Sequence, residues 1–338
     1  MPVPFILGGL AVLAGAAGVA EAVDAHDKMG YAKEDNEEAQ EIVANASERT
    51  EQARILSSKS IENLGRAKLD ICSTSMKMFV KNFRRIKNVD FRDSVGMEEL
   101  AGFTPNSEEM LQMEQATFKA SDIASGGMGG VAAGTLMAAG SYGAVGMLGA
   151  ASTGAAISGL SGAAATNATL AWLGGGSLAS GGLGMAGGMA VLGGLVAGPA
   201  LAVTGFFMNS KAEEAWAKAR ENLDKAWAFD EQSKNIEARL NGISKRADQI
   251  KDILVKLENY FDEANDALLD VMLDAGTDWK NYSVAQKKTV GGCAQLAKTI
   301  KIILDTSLLN EAGDDVSNES AKIIEVGNNA LLEQGIEK

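Results

Sequence analysis

Few residues of this chain could do catalytic chemistry. His26 is the only histidine among 338 residues, which excludes histidine-based triads and metal sites with several histidines. Asp24 and Asp27 lie beside it and could touch a metal ion, although a solvated helix start accounts for them as well. The two cysteines, Cys72 and Cys293, are too few for a disulfide framework. We expect two free buried thiols, with a single bridge as the alternative.

One motif resembles a dinucleotide-binding site. Residues 182–187, GLGMAG, match the dinucleotide fingerprint G-x-G-x-x-G. No strand precedes them, and no acidic residue follows within about 20 positions to hold a ribose. In a segment so rich in glycine the match is expected by chance. The sequence therefore predicts no enzyme, no cofactor and no small-molecule substrate.

A short segment concentrates basic residues, which could bind anions. Apolar residues interleave with these basic residues, as in segments that lie among lipid headgroups. The alternative is a core helix whose basic face pairs with acidic helices elsewhere, since the chain has 44 acidic residues. The basic residues are Lys77, Lys81, Arg84, Arg85 and Lys87, and the apolar ones are Phe79, Val80, Phe83 and Ile86.

The overall charge limits the partners. The chain carries 31 basic and 44 acidic residues, a net charge of −13. Binding to nucleic acid depends on clustered lysine and arginine that neutralise phosphates, so this balance predicts no nucleic-acid partner. Anionic lipid would also repel the chain except where basic residues are locally concentrated.

The rest of the chain is arranged around residues 123–210, hereafter the uncharged stretch. These 88 residues contain no Asp, Glu, Lys, Arg or His and hold 24 of the 39 glycines. Small residues recur there at every fourth position, which gives a helix a smooth groove for close helix packing. Aromatic residues stand near the ends of its segments, where membrane interfaces favour them. The groove positions are Gly126, Gly130, Gly134, Gly146, Gly154, Gly162, Gly176, Gly184 and Gly188, and the aromatic residues are Trp172, Phe206 and Phe207.

Glycine makes such helices unstable alone in water. Each glycine costs roughly 1 kcal/mol relative to alanine in an exposed helix. The helices therefore need lipid, where the backbone must satisfy its own hydrogen bonds, or close tertiary contact. The length allows roughly two to four crossings of about 20 residues each. Membrane insertion is our first hypothesis, and a tightly packed Ala/Gly core within an all-helical domain is the alternative.

Four regions follow from these patterns. Residues 1–20 form an apolar N-terminal helix that packs with the uncharged stretch or enters lipid with it; a signal peptide is the alternative. Residues 21–122 form amphipathic bundle helices; the pattern is helical from Glu21 to about Asn88, with Gly65 as an interior breaker and with Leu64, Ile71 and Met78 on one face. Residues 123–210 are the glycine-zipper membrane module. Residues 211–338 form a long heptad helix followed by C-terminal helices, one of them capped by Ser283.

The long heptad helix carries a seam. Its apolar positions alternate at spacings of four and three over about four and a half heptads, which is typical of a coiled coil. We predict an all-α fold, an elongated helical bundle or coiled coil with a central Gly/Ala-rich hairpin module. The seam residues are Ile236, Leu240, Ile243, Ala247, Ile250, Leu254, Leu257, Phe261, Ala264 and Leu268.

Two resemblances bear on function. The run 158–188, SGLSGAAATNATLAWLGGGSLASGGLGMAGG, continuing to VLGGLVAGP at 191–199, resembles a glycine-zipper segment of uncharacterised bacterial proteins in which charged helices flank it. That resemblance implies a bacterial origin and no settled activity. In layout the chain resembles α-helical pore-forming toxins of the cytolysin A and haemolysin B-component type. These carry a hidden apolar hairpin between long bundle helices.

The sequence therefore predicts a protein that inserts into lipid membranes, oligomerises and permeabilises them, as a toxin or a defence effector. We expect a homo-oligomer, with a hetero-oligomer as a further possibility. The expected location is the bacterial cytoplasm and its membrane, and a secreted form is the alternative. The competing hypothesis is a non-enzymatic scaffold that shapes or tethers membranes or assembles without lipid.

Overall fold

The computed structural model describes residues 19–92, 97–125, 212–310 and 315–334. Of this part of the chain 85% is helical, and no strand occurs in it. The predicted all-α bundle is therefore confirmed.

The first half of the chain contributes three of the described α-helices. They are α1 (Val19–Ser73), α2 (Ser75–Phe83) and α3 (Glu108–Ser125). A single 3-10 turn, Glu98–Leu100, precedes α3. The last residues of α3 already belong to the uncharged stretch, so the bundle leads into that stretch without a break in the helix.

The second half forms α4 (Ala212–Ala275), α5 (Val284–Asp305) and α6 (Asn318–Glu333). α4 ends where Gly276 adopts φ +78°, a conformation that glycine tolerates and that commonly closes a helix. Ser283 caps α5 as predicted: its hydroxyl accepts from Gln286 N, and Gln286 Oε1 accepts from Ser283 N. This reciprocal capping box satisfies donors that a helix start otherwise leaves free.

The chain divides into two compact units. Unit 1 comprises Met1–Ser47 and Pro199–Gln232, and unit 2 comprises Glu48–Gly198 and Ser233–Lys338. Helices α1 and α4 contribute residues to both.

In unit 1, α1 and α4 run in the same direction. Asn222 Nδ2 donates to Asn36 Oδ1 over 3.0 Å, and Lys28 Nζ lies 3.9 Å from Glu213 Oε1. The residue numbers rise together in the two helices, from Lys28 to Asn36 in α1 and from Glu213 to Asn222 in α4. The two helices therefore run parallel. The buried apolar positions of α1 in this unit recur every seven residues and are alanines, which allow close approach of the helices: Ala32, Ala39 and Ala46.

In unit 2 the same two helices again run parallel. Ser60 Oγ lies 2.8 Å from Ser244 Oγ, and Arg49 Nε lies 3.5 Å from Glu237 Oε2. Beyond α2 the pairing continues, because Lys87 forms a parallel bridge with Asp278. The remaining helices of unit 2 pack around this pair.

Aromatic side chains form the centre of unit 2. The ring of Phe79 lies 5.1 Å from Phe83 and 5.7 Å from Phe261, measured between centroids. Phe103, which precedes α3, stacks on Phe83 at 5.4 Å. These offset and tilted arrangements are the favoured geometries for aromatic pairs. The cluster holds α2, α4 and the segment before α3 together.

The helical pattern expected as far as about Asn88 is interrupted at Thr74, with φ −115° and ψ −90°, and not at Gly65, which lies within α1. Side-chain hydrogen bonds hold this conformation: Thr74 Oγ1 donates to Asp70 O, and Asn265 Nδ2 donates to Ser75 O. The interruption changes the phase of the buried positions. Met78 is therefore 37% exposed, whereas Phe79 is fully buried.

Three helical glycines of unit 2 differ in the space around them. A Cβ added at Gly327 would lie 2.4 Å from Ile253 Cγ2, and one at Gly291 would lie 2.3 Å from Met97 Sδ. A Cβ at Gly292 would meet nothing within 4 Å. Ile253 is β-branched and buried, so it yields less readily than the flexible end of methionine.

We expect the order of stability Gly292→Ala, then Gly291→Ala, then Gly327→Ala. Gly292→Ala should raise the free energy of unfolding by about 0.5–1 kcal/mol, because alanine favours the helix. Gly327→Ala should lower it by about 1–2 kcal/mol, because overpacking outweighs that gain. Urea unfolding of the three variants measures the order. Equal stability of Gly327→Ala and Gly292→Ala would contradict the close packing of α6 on α4.

Candidate functional site

The predicted basic segment lies on α2 and the residues that follow it. Its apolar neighbours Phe79, Val80, Phe83 and Ile86 are all buried in the core of unit 2. They are therefore not available to a lipid surface in this structure, and the interpretation of the segment as an interleaved lipid-binding helix needs correction. Only its cations face outward.

One cation of the segment has an ionic partner in the structure. Arg84 pairs with Glu114 of α3, which agrees with the alternative interpretation for that residue alone. The other four are exposed, and none has a carboxylate within 4 Å among the described residues. They are Lys77, Lys81, Arg85 and Lys87.

The spacing of these cations is unfavourable without a partner. Lys77 and Lys81 lie four residues apart on α2, which places them on the same side of the helix, and Arg85 lies in the turn two residues beyond its end. Like charges at this interval destabilise a helix by a few tenths of a kcal/mol per pair. An anion bound on this side would relieve the repulsion.

The predicted seam residues lie along α4. Ile236 and Ala264 are half-buried, and the other seam positions are buried in unit 2. α1 runs beside this part of α4, as the contact between Ser60 and Ser244 shows. The seam faces helices of its own chain. Its buried members are Leu240, Ile243, Ala247, Ile250, Leu254, Leu257, Phe261 and Leu268.

Two polar residues inside the core were missed by the sequence analysis. Asn265 is fully buried where the pattern assigned Ala264; its Nδ2 donates to Ser75 O, and its Oδ1 accepts from Cys293 Sγ. Lys68 is also fully buried. The sequence carries a sign of both buried positions. Lys68 lies four residues after Leu64 and three before Ile71, and Asn265 lies four residues after Phe261 and three before Leu268.

Lys68 caps the end of α5. Its Nζ donates to Leu304 O at 3.2 Å and to Thr306 O at 3.1 Å. Carbonyls at a helix C-terminus lack partners within the helix, and a cation there is favoured by the helix dipole. Burial lowers the pKa of Lys68 from its ordinary value of 10.5 to about 8, although Cys72 and Asp305 oppose the shift. Since no solvent reaches the amine, we assign it a structural role.

Both cysteines are free and buried. Burial raises the pKa of the Cys72 thiol to about 12, with Asp305 adding to the shift and Lys68 opposing it. Burial alone raises the pKa of Cys293. Each thiol is therefore protonated at neutral pH, and neither is a nucleophile in this conformation.

The positions proposed for membrane insertion and helix packing, from Gly126 to Phe207, lie outside the described residues, as does most of the apolar N-terminal segment. Among the helices that are described, none combines the length and apolar character needed to cross a membrane. The same part of the chain contains no group of three or more His, Cys, Asp or Glu residues placed to hold a metal ion.

The geometry thus defines an all-α bundle with outward-facing cations on and after α2. Comparison with protein-family models, with curated proteins and with solved structures finds no match.

The lowered pKa of Lys68 predicts that the free energy of unfolding rises with pH. Below about pH 8 the lysine is protonated in both states, and the buried charge costs stability. Between pH 8 and 10.5 the unfolded chain keeps the proton that the folded chain has released, so stability rises with pH. Relative to Lys68→Gln, which cannot titrate, the parent should gain about 2 kcal/mol of unfolding free energy between pH 7.5 and 10.

Denaturant unfolding at several pH values measures this difference. Titration of the two cysteines lowers the stability above about pH 9, but it does so in both proteins and therefore does not affect the comparison. Lys256→Gln removes an exposed lysine and serves as the charge-matched control, which should keep the rise of the parent. The same pH dependence in Lys68→Gln and the parent would show that another group is responsible.

Proposed function

We propose that this chain binds a lipid membrane and permeabilises it by inserting helices of the uncharged stretch. The observation that carries the proposal is the stretch itself: 88 consecutive residues without a charge, joined to charged helices on both sides. Lipid is the environment in which such helices need no charged or polar surface and in which their glycine grooves can pack. The chain would reach the membrane from the cytoplasm or after secretion.

The bundle supports this proposal by having a core of its own. The aromatic cluster and the seam of unit 2 belong to helices outside the uncharged stretch. These contacts can persist while the stretch enters lipid. Insertion would then cost the protein only the contacts of the stretch, with the charged helices left as a folded base at the membrane surface.

A scaffold that assembles without lipid is the second candidate. Unit 1 favours it, because several large apolar side chains remain exposed there in a single chain. Tyr31 is 56% exposed and Trp227 is 51% exposed. Contact with another helix would cover such residues, and aromatic side chains are enriched at protein interfaces.

We expect the purified chain to release dye from liposomes and Gly154→Leu and Gly184→Leu to release it about tenfold more slowly. A leucine would fill the groove through which inserted helices pack, and helix association in lipid depends on that close approach. Gly242→Leu is the matched control, since Gly242 lies in α4 with nothing within 4 Å of its Cβ position. It should leak at the rate of the parent.

Dye release and vesicle co-sedimentation together separate the candidates. Sedimentation with vesicles but no release, across lipid composition and protein concentration, would contradict permeabilisation and leave a membrane scaffold. Absence of binding to every vesicle, with defined oligomers in solution, would support the lipid-free scaffold. Unchanged release by both glycine variants would show that the groove is not used.

A further inference from the structure

One end of unit 2 is positive although the chain as a whole is acidic. Residues 77–92 and 273–288 together hold nine basic and three acidic residues, whereas the rest of the chain holds 22 basic and 41 acidic. The two segments meet in the structure: Lys87 N donates to Thr277 O at 2.8 Å, and Trp279 N donates to Lys87 O at 3.1 Å. Their charges therefore act at the same end of the bundle.

The three acidic residues of the two segments have partners, and Arg84 is paired with Glu114 of α3. Asp278 accepts from Asn88 and from the backbone of Lys280, and these bonds hold the pKa of its carboxyl below the ordinary value. Asp90 is bound by Arg92, and Asp274 accepts from Gln286. Asp278 also attracts Lys87 and Lys280, so the positive charge of this end comes from the excess of nine cations over three carboxylates in the two segments. Lys77, Lys81 and Arg85 have no carboxylate within ion-pairing distance among the described residues.

Two large aliphatic side chains protrude at the same end. Leu273, in the last turn of α4, is 76% exposed, and Val284, in the first turn of α5, is 75% exposed. They stand on either side of the turn that Lys87 contacts, and the 2.8 Å hydrogen bond from Gln286 to Asp274 ties their two helix ends together. Burial of such side chains in an apolar phase is favourable.

We propose that this cationic end of unit 2 docks the chain on an anionic lipid leaflet. The cations Lys77, Lys81, Arg85 and Lys87 contact headgroup phosphates and carboxylates, and Leu273 and Val284 enter the acyl boundary. The inference rests on the proposed membrane function and names the lipid that it recognises.

Charge and apolar exposure together favour lipid over other anionic partners. Nucleic acid or an acidic protein would satisfy the cations but would leave two protruding aliphatic residues without a matching environment. An anionic membrane supplies both, with charge at its surface and hydrocarbon beneath. The acidic remainder of the chain is repelled by the same surface, so docking by this end also sets the orientation of the bundle.

The test is co-sedimentation of the full chain with vesicles of phosphatidylcholine alone and of phosphatidylcholine with about one third phosphatidylserine. The parent should bind the anionic vesicles, and binding should weaken as salt is raised, because salt screens exposed charges. The triple variant Lys77→Gln, Lys81→Gln, Arg85→Gln should bind about 100-fold more weakly. Leu273→Ser with Val284→Ser should bind about tenfold more weakly without changing the salt dependence.

A charge-matched control uses three exposed lysines elsewhere in unit 2, through Lys59→Gln, Lys256→Gln and Lys322→Gln. This variant has the same net charge as the cationic-end triple variant and should bind as the parent does. Equal loss in both triple variants, or equal binding of the parent to neutral and anionic vesicles, would overturn the proposal. So would parent dimers in lipid-free sedimentation that the cationic-end variant abolishes, because the surface would then contact a second copy.

Dye release from the same vesicles separates this proposal from permeabilisation. Binding that depends on the cationic end without any dye release would support the docking surface and contradict pore formation. Dye release that the cationic-end variant leaves unchanged would support pore formation and overturn the docking surface.

Discussion

The parallel pairing of α1 and α4 is the constraint on which the rest of the structure depends. Helices that run in the same direction cannot be joined by a short turn, and 138 residues separate Ser73 from Ala212. That connection contains α2, α3 and the whole of the uncharged stretch. The chain thus keeps its most apolar residues in a connection, while the paired helices remain amphipathic. The charged helices therefore form the bundle, whereas the uncharged stretch belongs to the connection between them.

Polar groups inside the paired helices restrict how they can fit together. In unit 1 the hydrogen bond between Asn222 and Asn36 favours one register, since a shift by a heptad would leave the buried amide opposite apolar residues. In unit 2 Lys68 and Asn265 bind backbone carbonyls of other segments. Lys68 adds an energetic cost at neutral pH, because its charge is held away from water, in return for closing the end of α5.

The sequence predicted what depends on local patterns and missed what depends on distant partners. Helical periodicity and the Ser283 cap are local, so the fold class and the start of α5 followed from them. The spacing of Leu64, Lys68 and Ile71 indicates that Lys68 lies on the buried side of α1, but the carbonyls that accept from its amine stand 236 and 238 residues away. Likewise the cations of α2 were recognised by type, but the inward direction of Phe79 depends on Phe261. The interruption at Thr74 needs Asn265 as well as its own neighbours.

The two buried thiols can report when the helices of the bundle separate. Cys72 lies near the end of α1 and Cys293 lies within α5, and both are protonated and enclosed in the closed form. An alkylating reagent can react only from a conformation in which these helices have separated, so the labelling rate measures how often they separate. Labelling in the presence and absence of vesicles would time the separation of the helices without an added probe.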